Sequence, residues 1–178
     1  MKSKISVILF LIATSIIYSQ SDFKILSSDF KSITIEYTPI YTDTTLVTYD
    51  NSEYRSTDLY LGSIKNIEDW GFPAHFVRSL NIGVPSEFGN TLEVLSSSYK
   101  EISGSIIPVP KPIQDTFSVS YEYRKNSEYF SFKSDEELIS FDEYGLVRGV
   151  GSQTIDINPI KFDAALSKIK LYLSLIHI

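Results

Sequence analysis

Apolar and polar side chains alternate with a period of two along much of the chain. Ile33, Ile35 and Tyr37 are the apolar members of one such run, and Ile155 and Ile157 repeat the pattern further on. Shorter runs of the same kind cover residues 75–85, 92–94, 119–123 and 168–171. Successive side chains of a strand point to opposite faces, so this period predicts strands with one buried and one solvated face.

Turn-forming residues separate most of these runs. They stand at Asp50-Asn51, Gly62, Gly71, Gly89-Asn90, Gly104 and Gly151. Many short strands between frequent turns predict an all-β fold, an antiparallel β-sandwich that is jelly-roll-like, with at most one or two short helical turns. A parallel α/β fold is excluded because no helical pattern of roughly 10–15 residues separates the strands.

Three local segments deviate from the strand pattern. Residues Ser134–Ser140 carry a capping box, with Ser134 and Glu137 three positions apart, and predict a short helix. Residues 63–70 are a second candidate turn. The prolines of Pro108–Pro112 lack amide donors and predict a stiff extended crossing between the halves of the sandwich. A ligand for a proline-recognising module is the functional alternative for this segment.

The two ends of the chain lie outside the predicted fold. Lys2 and Lys4 precede an apolar run, Ile5–Ile17, which predicts a secretory signal peptide at residues 1–19. This run is too short for a comfortable membrane span, so none is expected in the mature form. Residues 173–178 (LSLIHI) match the translation of a transposon adapter used in sequencing libraries and are interpreted as an artefact. A genuine strand end is the alternative. The sandwich domain is therefore predicted at residues 20–172.

Composition excludes several classes of function. The chain has 178 residues with 16 basic and 22 acidic side chains, a net charge of 16 − 22 = −6, which argues against a nucleic-acid partner. It has no cysteine, so disulfides, thiolate zinc sites and a cysteine nucleophile are absent from this sequence. Two histidines do not suggest a metal centre, and we predict no metal and no cofactor.

The sequence contains no catalytic constellation, so no catalytic residue is assigned. His75 is interpreted as an exposed or edge-strand residue rather than a general base, because no paired nucleophile is evident. The acidic run of residues 135–137 is interpreted as a solvated turn, and a calcium site is the alternative. The many Tyr and Phe side chains are expected to fill the core, with a sugar-binding face as the alternative.

Three stretches, taken in order, resemble one family. The first comprises Phe23–Ser28 (FKILSS) and Ser32–Pro39 (SITIEYTP), and the second Gly71–Pro73 (GFP) and Val77–Pro85 (VRSLNIGVP). The third comprises Tyr144–Gly149 (YGLVRG), Ile155–Asp163 (IDINPIKFD) and Leu166–Leu171 (LSKIKL). Together they resemble the N-terminal pro-region of gingipain-like cysteine peptidases, a family that includes the sortase-like peptidase of type IX secretion.

The resemblance implies a secreted precursor that passes through the periplasm to the cell surface or the medium. Its N-terminal pro-domain would assist folding and block the active site of a downstream peptidase domain, its intramolecular partner. Whether the whole protein is an active cysteine-type endopeptidase stays open. The alternative is a free-standing secreted β-sandwich that binds glycans or cell-surface partners, or a purely structural module of a cell-surface protein.

Pro-domains of this kind often place a basic side chain where the side chain of a substrate would bind. Three residues in two segments are candidates in this sequence. Arg124 and Lys125 are predicted at a hairpin tip between strands at residues 119–123 and 129–132, and Arg148 precedes a glycine. A solvated or salt-bridged turn is the alternative for each of them, and surface charges commonly have no other role.

Overall fold

The protein is built almost entirely from β-strands. The computed structural model describes residues 21–177 except for residues 30 and 43, so the predicted signal peptide lies outside the described residues. Within them, thirteen strands pair antiparallel and one 3₁₀ helix spans Glu128–Ser131. The strands are β1 (Phe23–Ser28), β2 (Ile33–Tyr37), β3 (Leu46–Tyr49), β4 (Ser52–Arg55), β5 (Ser63–Ile64), β6 (Phe76–Gly83), β7 (Val94–Ser103), β8 (Lys111–Gln114), β9 (Val119–Glu122), β10 (Ile139–Val147), β11 (Val150–Ile157), β12 (Ile160–Asp163) and β13 (Lys168–His177). The predicted all-β sandwich is confirmed.

Two larger sheets form the sandwich. The first contains β1, β2, β13 and β12 in this order, and β7 pairs with the other edge of β13. The second has the order β10, β11, β6 and β5. Two hairpins, β3–β4 and β8–β9, form separate two-stranded sheets. Every pair of these named strands is antiparallel, which agrees with the short turns that the sequence predicts, and Arg55 and Ile106 form an isolated parallel bridge.

The core lies between the two sheets. One cluster joins Tyr37 of β2 to Ile155 and Ile157 of β11. A second joins Phe76 of β6 to Phe162 of β12, with further buried side chains from Leu59, Ala74, Ile106, Val109, Tyr129, Ile160, Ile169 and Leu171. Each fully buried side chain of this size contributes about 1.5–3 kcal/mol relative to an exposed one. Alternating residues identified in the sequence provide part of this core, and connecting segments, which supply Leu59, Ala74, Ile106, Val109 and Tyr129, provide the rest.

Strand β13 is central to the first sheet. Ile169 and Leu171 are buried, whereas Lys168 and Lys170, which alternate with them, point to the other face, as the pattern predicts. The strand continues to His177 and pairs with β7 and with β2 beyond residue 172. Backbone pairing tolerates many side chains, so the interpretation of residues 173–178 as an adapter artefact stays a prediction.

A buried ion pair ties the start of the described chain to the sandwich. Arg78 of β6 donates from Nε to Oδ2 of Asp22 at 2.6 Å and from a second nitrogen to Oδ1 at 3.3 Å. Asp22 is 5% exposed, and the Arg78 guanidinium also lies 5.0 Å from the centre of the Phe23 ring. The backbone carbonyl of Asp22 accepts the N–H of Thr38. This pair therefore fixes the entry into β1.

The predicted helix at Ser134–Ser140 is wrong. Strand β10 begins at Ile139, and no helix forms between residues 134 and 138. The Ser134 hydroxyl accepts the backbone N–H of Phe162 at 3.0 Å instead of capping a helix. Pairing of β10 with β11 buries Ile139, which outweighs a local capping preference.

The proline segment is extended, as predicted, but the prediction that it crosses between the two halves of the sandwich is wrong, because it leads from β7 into the separate β8–β9 hairpin. The N–H of Val109 donates to the carbonyl of Phe72, and the N–H of Gly71 donates to the carbonyl of Val109. Val109 is fully buried. Pro112 lies in β8, which is an edge strand of a separate two-stranded sheet and not a central strand. The segment thus connects β7 to the β8–β9 hairpin and runs beside residues 71–74.

Candidate functional site

The basic pair Arg124-Lys125 lies in an irregular connection between β9 and the 3₁₀ helix. The predicted hairpin between residues 119–123 and 129–132 is wrong, because β9 pairs with the preceding strand β8. The turn of the β8–β9 hairpin is at residues 115–118. Residues 129–132 cannot form the second strand because most of them belong to the 3₁₀ helix. We call residues 123–127 the basic loop.

The backbone of the basic loop is held against Gly71. The N–H of Asn126 donates to the carbonyl of Gly71 at 3.1 Å, and its side-chain amide donates to the carbonyl of Trp70 at 3.2 Å. Gly71 has a φ of +84°, and a Cβ there would lie 2.8 Å from both the Arg124 carbonyl oxygen and the Asn126 nitrogen. Only glycine therefore fits at position 71 without displacing the loop.

The two basic side chains of the loop have different environments. Arg124 is exposed and forms no ion pair within the described residues. The Lys125 ammonium lies 4.7 Å from the centre of the Tyr129 ring and 5.0 Å from that of Tyr54. It also donates to the Ser105 hydroxyl at 3.2 Å, and burial lowers the pKa of Lys125. Arg124 is thus free to contact a partner, whereas Lys125 is engaged inside the domain.

The β8–β9 hairpin carries exposed apolar side chains and leads directly into the basic loop. Phe117 lies at the turn of this hairpin, at the end away from the basic loop, and is 97% exposed. Val119 and Tyr121 alternate with polar residues along β9 and are also exposed. An isolated two-stranded hairpin is only marginally stable in water, and exposed apolar patches often mark interaction surfaces. The hairpin and the basic loop together form a candidate interaction surface.

Arg148 occupies the apex of a different hairpin. It has a φ of +53° and, with Gly149 at +81°, forms the two-residue connection between β10 and β11. This combination is typical of a type I′ turn. The flanking Leu146 and Val150 are exposed. Arg148 is therefore a second protruding basic residue, placed by the four-stranded sheet and not by the basic loop.

His75 is more buried than the sequence suggested. Its side chain is 13% exposed, and its Nε2 lies 3.0 Å from a carboxylate oxygen of Glu136. Burial lowers the pKa of His75, although the charge of Glu136 opposes this effect. The Lys161 ammonium lies against the same segment and donates to the Glu136 and Glu137 carbonyls. The contacts of His75 with Glu136, and of Lys161 with the Glu136 and Glu137 carbonyls, hold this segment next to β6 and β12.

The described part of the chain contains no cluster of side chains that could coordinate a metal ion. Groups of three or more His, Asp or Glu side chains suited to a metal ion are absent from residues 21–177 as described. Within the same residues, no helix has the length and apolar character that a membrane crossing requires.

The residues that hold the basic loop were not identified from the sequence. Gly71 belongs to the GFP stretch of residues 71–73, but nothing in the sequence shows that Gly71 contacts Arg124. Tyr54 and Tyr129 contact Lys125 only because β4 and the 3₁₀ helix meet in the folded protein. Long-range neighbours of this kind leave no local periodic pattern.

Comparison with solved structures defines the class of the fold. The chain is similar to the pro-domain side of a complex of the pro- and mature domains of RgpB from Porphyromonas gingivalis, with a TM-score of 0.74 and 16% identity over 88% of this chain and 82% of the other. It is also similar to a structure that describes the zymogenic latency of gingipain K from the same organism, with a TM-score of 0.67 and 16% identity over 87% and 89% of the two chains. The fold is that of a gingipain pro-domain. No curated protein matches the chain.

A family model gives the more specific assignment. The model of the C25 propeptide family (Propeptide_C25) matches residues 16–177. The chain therefore belongs to this family, and the resemblance to gingipain-like pro-regions is confirmed.

Proposed function

We propose that this chain is the N-terminal pro-domain of a secreted gingipain-like cysteine endopeptidase, in which it blocks the active site and assists the folding of a catalytic domain that follows. Family membership and the pro-domain fold support this proposal. The observation that carries it is an exposed Arg124 on a fixed loop, next to a hairpin with exposed apolar side chains.

Arg124 is the best candidate for the blocking side chain. Its backbone is held by Gly71 and Asn126, so little conformational freedom remains to be lost on binding. Its guanidinium is free to enter a pocket that recognises a basic side chain by charge-assisted hydrogen bonds. Lys125 is not suited to this role because its ammonium contacts Ser105 and aromatic rings. Arg148 is the second candidate because it stands at an exposed hairpin apex.

An inhibition assay with the cognate catalytic domain tests the proposal. The chain without residues 1–19 is added to the separately purified catalytic domain, and hydrolysis of a small substrate is followed. We expect inhibition below micromolar concentration. Arg124→Ala should weaken it by about a hundredfold, the effect expected of a central contact residue. Arg148→Ala is the matched control, since it removes the same charge from the other exposed tip.

Each outcome of this assay has a distinct meaning. Loss of inhibition in Arg148→Ala but not in Arg124→Ala would assign the blocking role to the β10–β11 hairpin. Absence of binding by the unchanged chain at micromolar concentration would contradict a blocking function. Folding assistance is tested separately, by the yield of active catalytic domain after refolding with and without the chain, and an unchanged yield would contradict it.

Secretion is part of the proposal. We propose that residues 1–19 are a signal peptide and that the protein crosses the periplasm before it reaches the cell surface or the medium. The mass of the exported protein measures the cleavage position. A chain that retains Met1 after export would contradict this part without affecting the pro-domain assignment.

Exposed aromatic rings favour a second candidate function, the binding of glycans. Trp70, Tyr121 and Phe130 are each exposed, and flat rings provide surfaces on which sugars can stack. Binding on a glycan array that is lost in Trp70→Ala would support this candidate. Silence on the array, together with inhibition of the peptidase, would exclude it.

A further inference from the structure

An exposed arginine on a loop is normally a site of cleavage for proteases with basic specificity. Hydrolysis adds water across the bond after Arg124 and leaves the carboxylate of Arg124 and the free amine of Lys125. A protease needs several residues around this bond to leave their native contacts and enter its cleft, so cleavage follows local opening of the loop. A blocking arginine must therefore be presented by a loop that resists opening.

The contacts of Lys125 are placed to resist this opening. The residue lies directly after the bond in question, and its ammonium is surrounded by Tyr54, Tyr129 and Phe130 at 5.0, 4.7 and 5.7 Å from the ring centres. Tyr54 and Tyr129 are themselves buried, and the Tyr129 hydroxyl donates to the Ile106 carbonyl, so these rings are fixed. We call these three rings the aromatic cage.

The aromatic cage is distinct from an ordinary surface ion pair. No carboxylate lies within ion-pair distance of Lys125 among the residues that the structure describes. The rings and the Ser105 hydroxyl cover part of the ammonium, and a cation held over aromatic rings is stabilised more than a fully exposed one. Opening the loop breaks all of these contacts at once.

We propose that Lys125 is a positioning residue, whose insertion into the aromatic cage keeps the Arg124–Lys125 bond from being cleaved while the Arg124 side chain stays exposed. The biological meaning of this role rests on the proposed function, in which Arg124 occupies the active site. The protection itself does not depend on the cognate peptidase and can be measured with any protease that cleaves after arginine.

Limited proteolysis with a protease specific for arginine provides the test, because trypsin would also cleave after Lys125. The chain without residues 1–19 is digested, and mass spectrometry follows the bond after Arg124 relative to the bond after Arg148, which serves as an internal reference in the same molecule. The rate measured on a short unfolded peptide of each variant corrects for the direct effect of residue 125 on the protease. Lys125→Met keeps much of the aliphatic side chain but removes the charge. It should raise the relative rate of cleavage after Arg124 by about threefold to tenfold, the effect of losing a partly buried cation–π contact.

Two further variants make the result specific. Lys125→Arg keeps a cation over the rings and should restore protection of the bond after Arg124. Lys170→Met is the matched control. The Lys170 ammonium lies 4.8 Å from the centre of a single ring, that of Tyr99, between the neighbouring strands β13 and β7. This control variant should leave the relative rate unchanged.

The possible results separate the positioning role from the proposed function. Equal relative rates in Lys125→Met and the unchanged chain would overturn the positioning role. A parallel rise at both arginines would also overturn it, because it would indicate global destabilisation. Protection by Lys125 without inhibition of the cognate peptidase would retain the positioning role and contradict the blocking function. Inhibition of the cognate peptidase without protection by Lys125 would support the blocking function and overturn the positioning role.

Discussion

Replacement of Gly71 by alanine tests whether the basic loop is held by close backbone packing. The new Cβ would stand 2.8 Å from the Arg124 carbonyl oxygen and from the Asn126 nitrogen, both of them backbone atoms that cannot rotate away. The φ of +84° adds a cost of about 1–2 kcal/mol for any residue with a Cβ. Gly71→Ala should therefore destabilise the domain by more than this backbone term and displace Arg124.

Gly89→Ala separates the two contributions. Gly89 has nearly the same backbone conformation, with a φ of +85°, but a Cβ there would meet no atom within 4 Å. Urea denaturation should show a loss of about 1–2 kcal/mol for Gly89→Ala, from the backbone term alone. Gly71→Ala should lose at least about 1 kcal/mol more, as is typical of a strained, overpacked position. Equal losses in the two variants would refute the idea that Gly71 packs tightly against the basic loop.

Three other substitutions test the ion pair, the buried histidine and the exposed hairpin. Arg78→Met leaves the buried Asp22 carboxylate unpaired and should cost about 3–5 kcal/mol in urea denaturation, and a loss below 1 kcal/mol would contradict the buried pairing. Burial lowers the pKa of His75 from its ordinary 6.5, so the folded state favours the neutral imidazole. The contribution of His75 to the free energy of unfolding is therefore complete above its unfolded-state pKa. This contribution is lost as the pH falls through its folded-state pKa. His75→Gln should reduce that acid loss of stability, and an unchanged pH profile would show that His75 does not cause it. Phe117→Ser should weaken binding to the catalytic domain while changing the unfolding free energy by less than about 0.5 kcal/mol, since the ring is fully exposed.

The sheet architecture was predictable from the sequence because its signals are local. The alternation of Ile33, Ile35 and Tyr37 defines the buried face of β2, and Ile169 and Leu171 do the same for β13. A period of two depends only on the sequence within one strand. The turn residues Asp50 and Asn51 adopt positive φ between β3 and β4, as short hairpin connections require.

The errors occurred where local and long-range preferences conflict. Ser134 and Glu137 have the spacing of a helix cap, yet the pairing of β10 with β11 determines the structure that follows. Tyr129 belongs to a segment with aromatic residues that favour strands, but its side chain is buried beneath the basic loop and its N–H donates to Asn126. These contacts select a 3₁₀ turn, which sequence periodicity does not reveal.

The candidate site shows why a basic residue cannot be assigned a role from its charge alone. Arg124 and Lys125 are neighbours in sequence and were equivalent candidates before the fold was known. In the folded protein the first side chain is exposed, whereas the second lies among aromatic rings that come from β4 and from the 3₁₀ helix. In the proposed arrangement, Lys125 fixes the loop and Arg124 stays available to a partner. This division of roles depends on Gly71, Tyr54 and Tyr129, which tertiary packing alone places beside the basic loop.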